Sequence, residues 1–270
     1  MTTAPPHRER VSAGSLQLSY LEQGQGLTVL FLHGLGSAGA DWSLQFPLFA
    51  PQYRVIAPDL RAHGQSEAGA FYWTIQDLAD EVAELVEKVQ AGPAHVVGLS
   101  LGGCVAQALA LRRPALVRSL TLVNTFGRLR PAGWRGARRI LQRLWLLCFA
   151  PMAANAAFIA DGLFPKSDQA AFRASAVARL SQNLRRTYWA SMRAVLFFDV
   201  RAQLPALRCP TLVVAGDRDT TVALSAKQEL SRVIPGAKLV IVADSGHATP
   251  YDQADFFNRT VMEFIQAHPS

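Results

Sequence analysis

Cysteine is scarce in this 270-residue sequence, which contains only Cys104, Cys148 and Cys209. The three residues are far apart and odd in number, and none stands in a CxxC or other metal-ligand spacing. The sequence therefore predicts neither a disulfide framework nor a zinc site, and the thiols are expected to serve packing. We expect no metal and no cofactor.

Long hydrophobic runs are also missing. The N-terminal residues 1–10 include charges but no apolar region follows them, which argues against a secretory signal peptide. The most apolar stretch, residues 144–159, contains Pro151 and Asn155 and is shorter than the roughly 20 residues needed to span a bilayer. The sequence therefore predicts a cytoplasmic protein without a transmembrane segment.

Charged residues make up only 17% of the chain, and the acidic ones are fewer, so the formal net charge is +7. The excess is local, because residues 126–200 hold eleven arginines and one lysine against three aspartates. Arginine outnumbers lysine throughout, a bias that genome base composition can also produce. Charge therefore gives little support for a partner, and we expect no nucleic acid. The oligomeric state stays open.

Six short apolar runs, several of them β-branched, alternate with helical patterns. Continuous runs of this kind are typical of strands covered on both faces, as in a parallel sheet. Apolar residues at helical spacing predict a helix over 74–90, and Thr74 followed by Asp77 fits a capping signal. The alternation predicts an α/β fold. The predicted strands are 27–32, 53–57, 95–99, 120–124, 211–215 and 238–242.

The alternation stops between residues 126 and 203, where no convincing strand pattern occurs. Helical patterns replace it at 137–148, 168–181 and 184–196. A helical segment between two strands is typical of a lid over the carboxyl ends of the strands, where ligands bind in open α/β sheets. We therefore predict a core of residues 1–125 and 204–270, with a helical lid at 126–203.

Residues 98–102 read GLSLG and stand between a predicted strand and a good helix former. Strand, G-x-S-x-G and helix is the context of a nucleophile elbow. The tight turn holds the serine in a strained conformation at the helix N-terminus, and the glycines give clearance around it. Ser100 is therefore the candidate nucleophile.

Two more motifs follow predicted strands, GDRD at 216–219 and DSGH at 244–247. A serine hydroxyl is a poor nucleophile until an imidazole can take its proton, and that imidazole needs a carboxylate to fix its tautomer. His247 is the candidate base. By position alone, both Asp217 and Asp219 remain candidates for the acid.

With these motifs, and with HGLG at residues 33–36, the chain resembles the lidded α/β-hydrolases, in which serine, acid and histidine follow in this order. The resemblance covers nearly the whole chain outside the lid and is nearest to enol-lactonases and small carboxylesterases. It implies an α/β-hydrolase fold, with a mostly parallel central sheet and helices on both faces. It also implies a triad of Ser100, Asp219 and His247.

The same resemblance implies finer roles. The family uses the later carboxylate of its G-x-x-D pattern, which favours Asp219 and leaves Asp217 as a loop-capping residue. The residue after the HG pair offers a backbone N–H to the oxyanion in that family. This carries over to Leu35, which would act with the N–H of Leu101, the residue after the nucleophile. His33 would brace the loop.

Residues 134–149 mix arginines with large apolar side chains. One interpretation is a basic amphipathic helix that meets an anionic lipid surface or an anionic acyl substrate. We favour an ordinary lid helix whose apolar side covers the pocket, with Trp134 and Trp145 contacting substrate. Its arginines would then face water. They are Arg135, Arg138, Arg139 and Arg143.

The expected activity is cleavage of a small-molecule ester or lactone with an apolar acyl or ring group, through an acyl-serine. Carbon–carbon bond hydrolases and cofactor-free perhydrolases share this triad, so both stay open, as does a non-catalytic receptor that kept the pocket. An aspartate at position 100 would have indicated a dehalogenase or epoxide hydrolase, and the serine excludes those mechanisms.

Overall fold

A computed structural model describes residues 5–131 and 133–269, which form an eight-stranded sheet with helices packed on it. The strand order is β1-β2-β4-β3-β5-β6-β7-β8. Strands β3 to β8 pair in parallel, and only the pairs β1 with β2 and β2 with β4 are antiparallel. The strands are β1 (His7–Ala13), β2 (Leu16–Gln23), β3 (Thr28–Leu32), β4 (Arg54–Pro58), β5 (Ala94–Leu99), β6 (Val117–Val123), β7 (Thr211–Gly216) and β8 (Lys238–Val242).

Helices connect the strands. Among the described residues, six α-helices lie outside the stretch between β6 and β7: α1 (Phe46–Phe49), α2 (Ile75–Lys88), α3 (Leu101–Arg112), α8 (Leu224–Val233), α9 (Thr249–Asp252) and α10 (Ala254–Gln266). The other four follow β6: α4 (Gly133–Phe149), α5 (Met152–Leu163), α6 (Ala170–Ser181) and α7 (Arg185–Leu196). We call residues 126–203 the helical segment. Within the described part of the chain, none of these helices is long and apolar enough to cross a membrane.

The core divides into two layers because successive side chains of a strand point to opposite faces of a sheet. In β3, Leu30 and Leu32 pack with α2 and α3, whereas Val29 and Phe31 pack with α1 and α10. All four of these side chains are fully buried. The predicted mostly parallel sheet with helices on both faces is therefore confirmed.

All six apolar runs are strands, and the predicted start of α2 is also confirmed. Thr74 Oγ1 accepts a hydrogen bond from the N–H of Asp77 at 3.2 Å, and Asp77 Oδ2 accepts one from the N–H of Thr74 at 2.7 Å. This reciprocal pair satisfies two N–H groups that have no partner inside the helix.

The structure contains elements that the sequence did not predict. The hairpin of β1 and β2 was not predicted, because β1 is an edge strand with mostly exposed, charged side chains rather than a continuous apolar run. Helix α5 was also missed.

The expectation of buried thiols holds for Cys104, while Cys148 is exposed, and all three cysteines are free.

Candidate active site

Ser100 stands at the turn between β5 and α3, with a φ of 54°. The glycines around it are required by close backbone contacts. A Cβ on Gly98 would collide with the carbonyl of Gly102, and a Cβ on Gly102 would collide with the carbonyl of Leu32. A Cβ on Gly103 would lie 2.6 Å from the Thr125 side chain. The turn can therefore form only where these glycines surround the serine, which is then held in a strained conformation.

Asp219 and His247 lie in the loops that follow β7 and β8, which are neighbours in the sheet. His247 Nδ1 lies 2.9 Å from Asp219 Oδ2, and both side chains are almost wholly buried. Ser100, Asp219 and His247 all line one cavity. Because Nδ1 is engaged by the carboxylate, Nε2 is the ring nitrogen that can accept a proton from the cavity side.

The Asp219 carboxylate accepts four hydrogen bonds. Its Oδ1 accepts from the backbone N–H groups of Thr221 at 2.7 Å and Val222 at 3.0 Å. Its Oδ2 accepts from His247 and, at 3.0 Å, from the Lys227 ammonium. Burial alone would raise the pKa of Asp219, but His247, Lys227 and the Val222 N–H hold that pKa at about 2. This side chain is therefore ionised at neutral pH.

Asp217 does not contact the histidine ring. Its Oδ1 accepts a hydrogen bond from the N–H of Ser245 at 3.1 Å, which ties the loop after β7 to the loop that carries His247. Position alone left both carboxylates as candidates for the acid. In the structure, Asp219 contacts the His247 ring, whereas Asp217 contacts the backbone of the loop that carries His247.

The HG loop, residues 33–36, lies against the serine. A Cβ on Gly34 would be 3.7 Å from the Ser100 Cβ, and Leu35 and Leu101 both line the cavity. Leu101 is the first residue of α3, so its N–H has no carbonyl partner within the helix. His33 is buried, and its Nε2 accepts a hydrogen bond from the N–H of Leu60 at 3.0 Å. Burial lowers the pKa of His33, which fits a neutral ring that braces this loop.

The helical segment covers the cavity, which has a volume of about 510 Å³. One face of α4 lines the cavity. Its lining residues recur every three or four positions, as expected for residues on the same side of a helix. The residues of α4 that line the cavity are Gly136, Arg139, Ile140, Arg143 and Leu144.

The prediction that Trp134 and Trp145 contact substrate was wrong. Trp134 is 69% exposed and Trp145 is 58% exposed, and neither lines the cavity. The sequence of α4 has apolar side chains on both sides of the helix, so the apolar content alone could not tell which side faces inwards. Ile140 and Leu144 take the inward positions that the tryptophans were expected to fill.

The expectation that the α4 arginines face water was wrong for two of them. Arg139 lines the cavity, with its guanidinium carbon 5.2 Å from the centre of the Phe158 ring. Arg143 also lines it, and donates a hydrogen bond to the Tyr188 hydroxyl. Arg138 is exposed as expected, and the side chain of Arg135 lies outside the described residues.

The two carboxylates that line the cavity, Asp41 and Asp219, already have cationic partners. Asp41 forms an ion pair with Arg179, and Asp219 contacts Lys227 and His247. Arg139 and Arg143 instead contact aromatic side chains. The roof of the cavity therefore carries positive charge that the cavity's own carboxylates do not neutralise.

Sequence reasoning missed Lys227 and Asn124. Lys227 is 0% exposed, and it lies three residues before the buried Leu230 on the same face of α8, the one signal that could have identified it. Asn124 follows β6 with a φ of 43°, and its side chain donates to the backbone carbonyl of His247 at 2.9 Å. No motif marks either residue.

Metal-ligating side chains do not gather anywhere in the described residues in groups of three or more. The polar side chains that line the cavity include those of Ser100, His247 and Asp219, together with arginines. This set can carry out nucleophilic chemistry on a carbonyl group.

The chain is similar in sequence and in structure to known hydrolases. A family model described as alpha/beta hydrolase fold matches residues 28–254. The putative carbamate hydrolase RutD of Stutzerimonas stutzeri is 30% identical over 245 residues, which cover 88% of this chain and 91% of that protein. The 3-oxoadipate enol-lactonase 2 of Acinetobacter baylyi is 27% identical over 94% of this chain and 95% of its own length. The crystal structure of the enol-lactonase from Burkholderia xenovorans LB400 superposes with a TM-score of 0.87 at 25% identity, covering 96% of this chain and 100% of that one.

Proposed function

The chain belongs to the α/β-hydrolase fold family and is a hydrolase of that family, and from this premise we propose that it cleaves a carboxylic ester or lactone through an acyl-serine on Ser100. The observation that carries the proposal is the 2.9 Å contact between His247 and the buried Asp219 at the cavity that Ser100 lines. A serine becomes a useful nucleophile only when such an oriented base is present.

In the proposed reaction, Ser100 Oγ attacks the substrate carbonyl while His247 Nε2 takes the hydroxyl proton. The leaving alcohol or enol then receives that proton from His247, and the acyl group stays on the serine. Water, deprotonated by the same nitrogen, attacks the acyl-serine; the bond between the acyl carbon and Oγ breaks, the acid is released, and His247 returns the proton to Ser100 Oγ. Asp219 keeps the ring in the correct tautomer and stabilises the imidazolium that forms in both steps.

The negative charge that develops on the carbonyl oxygen is assigned to the backbone N–H groups of Leu35 and Leu101. The approach of the HG loop to Ser100 and the position of Leu101 at the start of α3 support this assignment. An N–H at a helix N-terminus also benefits from the helix dipole. We further propose that the helical segment acts as a lid over this site.

Active-site labelling tests the proposed function directly. A fluorophosphonate reacts with serines that an adjacent base activates, so we expect one equivalent to attach to the wild type, and peptide mapping to find it on Ser100. A p-nitrophenyl ester and an enol-lactone should then turn over, and a ring-cleavage dienoate should not. Absence of labelling would favour a non-catalytic receptor, and preferential turnover of the dienoate would favour a carbon–carbon bond hydrolase.

The two arginines that lie over the cavity indicate which substrate charge the site favours. Arg139 and Arg143 sit on the inward face of α4, and no carboxylate of the cavity pairs with them. A substrate that carries a carboxylate a few bonds away from its ester or lactone group would supply that partner. We propose that the site prefers anionic substrates of this kind.

We expect the double variant Arg139→Gln and Arg143→Gln to lower kcat/KM for the p-nitrophenyl monoester of glutaric acid by about tenfold or more. A hydrogen bond to a charged group contributes about 1.5–3 kcal/mol, and about 1.4 kcal/mol is a factor of ten. The uncharged p-nitrophenyl pentanoate should change little. Added salt should slow the anionic ester in the wild type and affect the neutral one less.

Arg138→Gln is the matched control, because Arg138 is on the same helix but exposed. It should leave both esters unaffected. Equal losses on the two esters in the double variant would show that the arginines support the lid without recognising charge.

A further inference from the structure

Lys227 is a fully buried lysine that the proposed reaction does not use directly. It belongs to α8, and its side chain is 0% exposed. A buried cation is stable only when hydrogen bonds and an opposite charge replace the water that it loses. The partners of this side chain therefore decide what it does.

The Lys227 Nζ has three hydrogen-bond acceptors, each at 3.0 Å. They are Asn124 Oδ1, the carbonyl oxygen of Gly216 and Asp219 Oδ2. An ammonium has three N–H donors and no lone pair, so its donors match these three oxygens. A neutral amine would direct its lone pair at one of them. Burial lowers the pKa of Lys227, and the Asp219 carboxylate opposes that shift.

The oxygen that accepts from Lys227 is also the oxygen that binds the histidine. Asp219 Oδ2 lies 3.0 Å from Lys227 Nζ and 2.9 Å from His247 Nδ1. An ammonium so close neutralises part of the carboxylate charge that would otherwise stabilise a protonated ring. An ammonium at this oxygen therefore favours the neutral ring, which is the form that can accept the Ser100 proton.

Hydrogen bonds through Asn124 also connect Lys227 to the backbone of His247. Asn124 Oδ1 accepts from Lys227 Nζ, while Asn124 Nδ2 donates to the carbonyl oxygens of Gly246 at 3.1 Å and His247 at 2.9 Å. The ammonium therefore connects the loop that carries the acid to the loop that carries the base.

Other charged groups also face this corner of the site. Asp217 and Asp252 accept hydrogen bonds from the backbone of residues 245–246, on the His247 loop. From the helical segment, Lys166 pairs with Asp244 at 2.7 Å on the outer side of that loop. Arg139, Arg143 and the ion pair of Arg179 with Asp41 line the same cavity as the histidine. Lys227 is the cation among them that contacts Asp219.

We propose that Lys227 is a positioning residue of the active site, which fixes Asp219 and extends the working range of His247 as a base towards acidic pH. This inference rests on the proposed serine mechanism. It makes Lys227 a determinant of pH dependence that acts through the acid, without touching substrate.

The test is the pH dependence of fluorophosphonate labelling of Ser100 in wild type and in Lys227→Met, which keeps side-chain length but removes the charge. Without the cation, the carboxylate stabilises the imidazolium more strongly, so the ring stays protonated to higher pH. We expect the acid-side midpoint of the labelling rate to rise by about one pH unit. Below the wild-type midpoint this corresponds to a loss of about tenfold in rate.

Lys238→Met is the matched control, since Lys238 is an exposed lysine on β8 away from the carboxylate. Its midpoint should equal that of the wild type. A merely structural role for Lys227 predicts a lower labelling rate at every pH with an unchanged midpoint, and that result would overturn the inference. If the wild type itself is not labelled, the proposed function has failed instead.

A measurement on the wild type covers the case in which Lys227→Met does not fold. The chain has only four lysines, so the ¹⁵N signals of their side chains can be resolved by NMR. We expect one ammonium signal with slowly exchanging protons, present across the pH range in which labelling falls. A neutral amine for the buried lysine in that range would overturn the inference without any variant.

Discussion

Ser100→Ala is expected to abolish nearly all turnover, lowering kcat for ester hydrolysis by about 10⁴- to 10⁶-fold. The alanine offers no atom that can form the acyl bond, and the remaining activity would come from substrate binding and the two backbone N–H groups alone. The fold should persist, because the turn at residue 100 is held by glycine clearances and backbone hydrogen bonds that the substitution leaves in place. Steady-state kinetics and a thermal unfolding midpoint measure the two effects separately.

Ser175→Ala is a suitable control for that variant. Ser175 is another serine that lines the cavity, but it belongs to α6 in the helical segment. It should keep nearly full activity and should still be labelled by a fluorophosphonate. Ester hydrolysis at close to the wild-type rate in Ser100→Ala would show that another group is the nucleophile.

Asp219→Asn is expected to lower kcat by about 10⁴-fold with little change in KM. The amide cannot stabilise the imidazolium, and it favours the wrong ring tautomer. A second effect follows from Lys227, whose buried ammonium loses the carboxylate with which it forms an ion pair. The variant should therefore also unfold at a lower temperature, because an uncompensated buried charge is destabilising. Kinetics and thermal unfolding of the purified variant test both statements.

Asp217→Asn is the comparison that distinguishes the two carboxylates. Asp217 accepts a hydrogen bond from the N–H of Ser245, and an asparagine side-chain oxygen can accept the same bond. Its activity should fall far less than that of Asp219→Asn. If Asp217→Asn is the more damaging change, Asp217 rather than Asp219 orients the histidine.

Most of the sheet could be predicted because its strands are covered on both faces, which requires a continuous apolar run that is visible in the sequence. The exception is the hairpin of β1 and β2. Residues of β1 are largely exposed at the edge of the sheet, so nothing in their polarity distinguishes them from a charged terminal segment.

The orientation of α4 could not be predicted from the sequence pattern. Large apolar residues occur on the side that faces the cavity, such as Ile140, and on the side that faces outwards, such as Trp145. Periodicity establishes that the segment is a helix, but it cannot choose between two apolar faces. In the orientation that the helix adopts, its side chains contact residues distant in sequence, as Arg143 contacts Tyr188.

The sequence by itself determined the fold class, the turn at Ser100 and the candidate triad motifs, because each strand, turn and motif is encoded by residues within a few positions of one another. Glycines at 98, 102 and 103 shape the turn, and each of the three motifs directly follows an apolar strand. Only the tertiary structure decided that Asp219 rather than Asp217 meets His247, that Lys227 shares the same carboxylate oxygen, and that Arg139 and Arg143 face the cavity. The physical reason is that hydrogen bonds and charge contacts are set by distances of a few ångströms, and residues far apart in the chain reach those distances only once the strands and helices have packed.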